Sequence, residues 1–187
     1  MNIGLLFGSF NPIHTGHLII ASTVLNTLPL SKIWFVVSPQ NPLKENKALL
    51  DAEKRLLLVE RAIEKDPRFL VSNAEFNLPL PSYTIDTLSH FEQQYAEYSF
   101  YVLIGSDSFL QLNQWKNGNL LLKKQIIVYE RPGYAISESA LSPNIILVKS
   151  PLLNISATAI RSLIKEGKSI KYLVPENVLQ LIERFYK

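Results

Sequence analysis

Short runs of consecutive apolar residues alternate along this chain with stretches whose apolar positions recur at helical spacing. Ile3 to Phe7 is apolar, ends at Gly8 and predicts a buried strand. Thr15 to Leu28 predicts a helix that stops before Pro29. Ile33 to Val37 predicts a second strand, broken by the loop Ser38-Pro39-Gln40-Asn41-Pro42. Asp51 to Glu64 predicts a helix, with Leu56, Leu57, Val59 and Ile63 giving much of its apolar face. Further strands are predicted at Phe69 to Val71, Phe100 to Ile104, Ile126 to Tyr129 and Ile145 to Val148. Further helices are predicted at Thr84 to Tyr95, as one or two short pieces within Ser108 to Leu122, and at Ala157 to Lys165 and Glu176 to Phe185.

Nearly all-apolar strands alternating with helices predict an α/β fold, a mostly parallel sheet with helices on both faces. In such sheets a ligand sits beyond the carboxyl ends of the strands, where strand order reverses. Three segments fall on that rim: residues 8–17 after the first strand, 105–107 after the fourth and 131–133 after the fifth.

Composition narrows the partners. A chain of 187 residues suits a single domain, 1–187. The net charge is +3, and the longest basic cluster is Lys123-Lys124, so the charge is scattered and no nucleic-acid surface is expected. No apolar run approaches the ~18 residues of a membrane span. Met1-Asn2-Ile3-Gly4 lacks a basic leader, so a cytoplasmic protein is expected. The absence of cysteine excludes a disulfide framework, a thiolate nucleophile and a cysteine zinc site.

The chemistry concentrates in Gly8-Ser9-Phe10-Asn11-Pro12-Ile13-His14-Thr15-Gly16-His17. A helix starting near Thr15 leaves backbone N–H groups unpaired, and with the helix dipole these form an anion site suited to phosphate. His14 and His17, three apart, would then face the same space, with Gly16 keeping it open for a polyphosphate. Two imidazole donors beside a helix N-terminus suit displacement at phosphorus, where positioning and charge stabilisation do the catalysis. A metal pair is the other use of such histidines, but His90 is the only further histidine, and no protein metal site is expected. On spacing alone, the segment fits either a phosphate-handling turn or a purely structural one.

Residues 8–17 resemble the signature of the nucleotidylyltransferase superfamily, a Gly-[Ser/Thr]-Phe-[Asp/Asn]-Pro turn followed by His-x-Gly-His. Ile155-Ser156-Ala157-Thr158-Ala159-Ile160-Arg161 resembles its second motif, Ile-Ser-x-Thr-x-Ile-Arg. Ser82-Tyr83-Thr84-Ile85-Asp86-Thr87, the stretch from Gly105-Ser106-Asp107 to Trp115, Arg131-Pro132-Gly133-Tyr134 and the segment 172–178 are similar to the nicotinate-nucleotide adenylyltransferase family. The resemblance spans essentially the whole chain. Three positions depart from the usual pattern: Asn11 stands where many members carry Asp, Phe7 where many carry Gly, and the Pro-rich loop reads Ser38 to Lys44.

The resemblance implies a Rossmann-like domain that joins ATP to nicotinate mononucleotide, releasing pyrophosphate, with Mg²⁺ arriving on ATP. It implies that Gly8, Ser9 and Phe10 hold phosphates and mononucleotide through the backbone. His14, Gly16 and His17 would bind the triphosphate, with His17 nearest the α-phosphate. Ser156 and Arg161 would hold the leaving pyrophosphate, while Gly105 and Asp107 meet sugar hydroxyls and Arg131 the adenylyl half. Tyr83, Thr84, Trp115 and Lys44 would bind the mononucleotide. Taken alone, Asp107 also fits a helix cap and Trp115 a core residue. Two other functions stay compatible: transfer to another phosphorylated acceptor (nicotinamide mononucleotide or phosphopantetheine), or a non-catalytic nucleotide-binding module.

Overall fold

The computed structural model describes residues 1–40, 49–137, 141–151 and 153–187. Lys44, and with it most of the Pro-rich loop, lies outside them. The elements in chain order are β1 (Asn2–Gly8), α1 (Thr15–Thr27), β2 (Lys32–Val37), α2 (Ala52–Ile63), β3 (Phe69–Ser72), α3 (Thr84–Gln94), β4 (Ser99–Gly105), α4 (Ser106–Phe109), α5 (Gly118–Leu121), β5 (Ile126–Tyr129), β6 (Ile145–Val148), α6 (Ala157–Lys165) and α7 (Glu176–Tyr186). A 3₁₀ turn at Ala74–Asn77, which the sequence pattern did not predict, follows β3, and a second at Leu112–Gln114 lies between α4 and α5.

The six strands form one parallel sheet in the order β3-β2-β1-β4-β5-β6. Strand order therefore reverses between β1 and β4, and the carboxyl ends at that point are Gly8 and Gly105. This is the expected parallel α/β architecture, and its crevice is where such sheets bind ligands.

Alternation along the strands fills both faces. Leu6, Ile33, Phe35, Val37 and Ile127 pack on one side with residues of α1, α2, α6 and α7. Ile3, Leu5, Trp34, Val36, Ile126 and Val128 pack on the other with α3 and α5. Both faces being buried explains why the strands carry almost no polar residue.

The predicted face of α2 needs correction. Its buried residues are Arg55, Leu58, Val59 and Ile63, spaced i, i+3, i+4 and i+8, while Leu56 and Leu57 are only half-buried. The stripe begins one residue earlier than the leucines suggested, at an arginine.

Candidate active site

A cleft of about 850 Å³ opens over Gly8 and Gly105, within the range of small-molecule sites. Every site residue read from the sequence lines it except Gly16, which borders a small neighbouring cavity, and Lys44, which is not described.

His14 is the N-cap of α1 and His17 its third helical residue. That placement stacks the two rings with centroids 3.7 Å apart at 23°. The His14 backbone N–H donates to His17 Nδ1 at 3.2 Å. With Nδ1 accepting, His17 carries its proton on Nε2 in the neutral form and presents a donor there. Phe10 meets the His17 ring edge-on, 5.0 Å between centroids, and is itself core; only its backbone can serve a ligand. His14 is buried, and desolvation, then the nearby Arg131 cation, lower its pKa to about 4. It is therefore neutral at physiological pH. Among the described residues, His14 Nδ1 and Ser9 Oγ are buried without a hydrogen-bond partner, and both residues line the cleft.

Gly16 has a different reason from the one expected. A Cβ there would lie 3.0 Å from His14 Nδ1 and 3.1 Å from Cε1, so the glycine makes room for the histidine ring. Gly105 serves similarly, since a Cβ would collide with Asp107 Oδ1.

The second motif closes on the first. Ser156 caps α6, its Oγ accepting from the Ala159 N–H at 3.2 Å, which leaves its own O–H to donate. Arg161 donates to the Asn11 carbonyl at 2.7 Å and to Thr158 Oγ1 at 3.2 Å. On the opposite rim Arg131 and Asp107 pair loosely at 3.9 Å, each about one-third exposed. The cap position of α4 belongs to Gly105, so Asp107 is not the N-cap that its type alone allowed.

Tyr83 and Thr84 open α3, with Tyr83 at the cap position making no side-chain cap. The leading N–H groups of that turn lack intrahelical acceptors. Trp115 is half-buried, packs against the second core and also lines the cleft.

Asn11, Arg55, Glu75 and Lys116 make contacts that the sequence reading did not assign. Asn11 was noted as a departure, but its Oδ1 accepts from the Leu50 N–H at 3.1 Å and the Tyr186 hydroxyl at 2.6 Å. Arg55 lies buried beneath the turn. Glu75, in the 3₁₀ turn, accepts from Ser82 Oγ at 2.6 Å and Thr87 Oγ1 at 3.0 Å. Lys116 sits over the Tyr83 ring at 4.4 Å and pairs with Asp86 at 2.9 Å. Only Arg55 left a signal, a charge on the apolar stripe of a helix.

The cytidylyltransferase-like family model matches residues 5–163. A Cytophaga hutchinsonii protein named "Probable nicotinate-nucleotide adenylyltransferase" is 49% identical over 183 residues, 97% of this chain and 95% of that protein. A Bacteroides fragilis protein of the same name is 43% identical, covering 96% of this chain and 90% of its own length. The fold matches the Plasmodium falciparum nicotinic acid mononucleotide adenylyltransferase complexed with NaAD, with a TM-score of 0.82, 22% identity and 98% of each chain covered.

Proposed function

The chain belongs to the cytidylyltransferase-like family and, within it, to the nicotinate-nucleotide adenylyltransferases, and from that premise we infer that it transfers the adenylyl group of ATP to nicotinate mononucleotide, yielding nicotinic acid adenine dinucleotide and pyrophosphate for NAD biosynthesis. The observation that carries this reading is the stacked His14–His17 pair at the head of α1, joined through Asn11 to Arg161 of the second motif and set at the β1/β4 reversal.

A phosphate oxygen of the mononucleotide attacks the α-phosphorus, the bond to the bridging oxygen of the β-phosphate breaks, and pyrophosphate leaves with that electron pair. His17 Nε2–H donates to the α-phosphate oxygens as their charge rises. Neutral His14 adds a hydrogen bond without a second cation. Arg161 has donors beyond the two it uses and holds the departing pyrophosphate. Ser9 and Phe10 grip phosphate from the turn, while Tyr83, Thr84 and Trp115 seat the pyridine nucleotide. The protein supplies position and charge rather than a nucleophile.

Among the described residues no three His, Cys, Asp or Glu side chains gather as a metal cage. Mg²⁺ would arrive on the phosphates of ATP and would neutralise part of their charge. Among the same residues no helix is long and apolar enough to cross a membrane, and we place the enzyme in the cytoplasm.

Pyrophosphate release with ATP or CTP against a panel of acceptor phosphates tests the reading. Release with ATP and nicotinate mononucleotide is expected. Release only with phosphopantetheine would move the acceptor, and no release with any pair would leave a binding module.

A further inference from the structure

Arg55, in the first turn of α2, is fully buried, a setting arginine accepts only when its donors are taken. Its Nε donates to the Leu50 carbonyl at 2.7 Å. One terminal nitrogen donates to the carbonyls of Ser9 at 2.6 Å and Ser38 at 2.7 Å, and the other to that of Pro39 at 3.0 Å. One guanidinium thus ties the turn after β1, the exit of β2 and the entrance to α2.

We propose that Arg55 is a positioning residue for adenylyl transfer: from beneath, it aims the Phe10 N–H at the triphosphate and sets a fixed positive charge under the phosphate turn. In a trans peptide the C=O and the following N–H point in opposite directions. Drawing the Ser9 carbonyl inward onto Arg55 therefore turns the Phe10 N–H outward, on the side where Ser9 and Phe10 line the cleft. Phe10 has φ +45°, a left-handed conformation that a residue with a side chain seldom takes and that surrounding bonds must hold. Arg55 supplies one of those bonds. Its charge is met by carbonyl dipoles, and a cation in so dry a place acts on a polyphosphate through little intervening water. Geometry and charge thus favour the same ligand, the phosphate chain, and neither bears on the pyridine end.

The proposal rests on the adenylyl-transfer reading, and the two fail differently. Wild-type protein inactive with every acceptor would sink that reading, whereas an active enzyme indifferent to Arg55 sinks only this one. Arg55→Lys keeps the charge but not the fork, and Arg55→Gln keeps neither. For folded protein, checked by circular dichroism and assayed well below its melting midpoint, kcat/KM for ATP should fall about tenfold in the first and about a hundredfold in the second, with the acceptor KM within about twofold. A merely structural arginine would lower the melting midpoint and leave the ATP constants of the folded enzyme intact. Should neither variant fold, wild-type protein decides. Linkage requires phosphate binding to tighten whatever prepares its site, so saturating inorganic pyrophosphate should slow hydrogen exchange at Arg55 Nε–H several-fold. Folded Arg55→Lys with wild-type ATP kinetics, or exchange unmoved by pyrophosphate, overturns the proposal.

Discussion

The two halves of the cleft are built from different material. In the proposed reading the phosphate half adds aimed side chains to the backbone of the Ser9-Phe10 turn: two stacked imidazoles, Arg161 on the Asn11 carbonyl, and Arg131 across the rim. In the same reading the acceptor half relies largely on backbone, the uncapped first turn of α3 at Tyr83 and Thr84, backed by the buried Glu75 that draws the Ser82 and Thr87 hydroxyls inward. The difference follows from what each half must bind. A phosphate chain gaining charge in the transition state needs strong, aimed donors, whereas a planar ring with one carboxylate needs a slot and a few N–H groups. Side-chain chemistry is visible in residue types, and backbone chemistry is not.

The sharpest way to break this contrast is to remove one aimed donor. His17→Ala should lower kcat about 10²–10³-fold, the loss seen when a preorganised donor to a developing charge is deleted. Because His17 is only half-buried, the melting temperature should change little. Steady-state kinetics on folded protein check this, and near-normal turnover would show that the phosphate half does not depend on its imidazoles.

His14 separates the halves by pH. Its folded pKa, about 4, lies below the ordinary 6.5. As pH falls below 6.5 the unfolded chain therefore takes a proton that the folded chain refuses. Stability from this group is fully present above pH 6.5 and drains away as pH falls toward 4, by about 3 kcal/mol. His14→Gln removes that dependence. Urea melts at several pH values should show the wild-type advantage over the variant shrinking across this window. A constant difference would place His14 in contact with water.

The acceptor half is tested by its discrimination. Leading N–H groups favour a carboxylate and cannot pair with the NH₂ of a carboxamide. Nicotinate mononucleotide should therefore be preferred over the amide by about tenfold in kcat/KM, the scale of one mismatched donor. Trp115→Ala should weaken both acceptors alike, since a stacking face does not read the substituent. Equal constants for the two mononucleotides in the wild type would mean that the α3 turn does not face the pyridine carboxylate.

The same division explains what the sequence could reveal. The strands were legible to within a residue or two because both faces are buried and their apolar runs are unbroken, as at Ile126–Tyr129. His14 and His17 stood out because histidine is scarce here and both sit at the predicted start of a helix, whereas Ser156 and Arg161 were singled out by the resemblance of residues 155–161 to the superfamily's second motif. Leu58 was missed beside Leu57 because three consecutive leucines blur the phase of a helix. Arg55 was read past because an arginine is ordinarily solvated, and only the carbonyls of three separate segments reverse that. Glu75 was missed because the 3₁₀ turn that carries it has no periodic signal.

Tyr186 was beyond reach for another reason, lying 175 positions from Asn11, and it offers the smallest and most local test. Its hydroxyl donates to Asn11 Oδ1 at 2.6 Å, and the same oxygen accepts from the Leu50 N–H at 3.1 Å. Asn11 in turn gives its carbonyl to Arg161. The last turn of α7 therefore steadies the residue on which the two motifs meet. Tyr186→Phe keeps the ring packing and leaves Asn11 Oδ1 with one donor, so no acceptor is orphaned and the loss should be only about 1 kcal/mol. In kinetic terms, kcat/KM for ATP should drop about fivefold, with the acceptor KM unchanged. Burial pushes the phenol pKa above its ordinary value of 10.0, against the pull of Arg55 and Arg161. The hydroxyl therefore stays a donor throughout the working range. The wild-type-to-variant ratio should accordingly be flat from neutral pH to about pH 9.5. A ratio that collapses toward one as pH rises would mean that the phenol ionises there and that α7 is not sealed against the site. A ratio of one at every pH would mean that Arg161 and Leu50 alone hold Asn11, and that the phosphate half ends at the second motif.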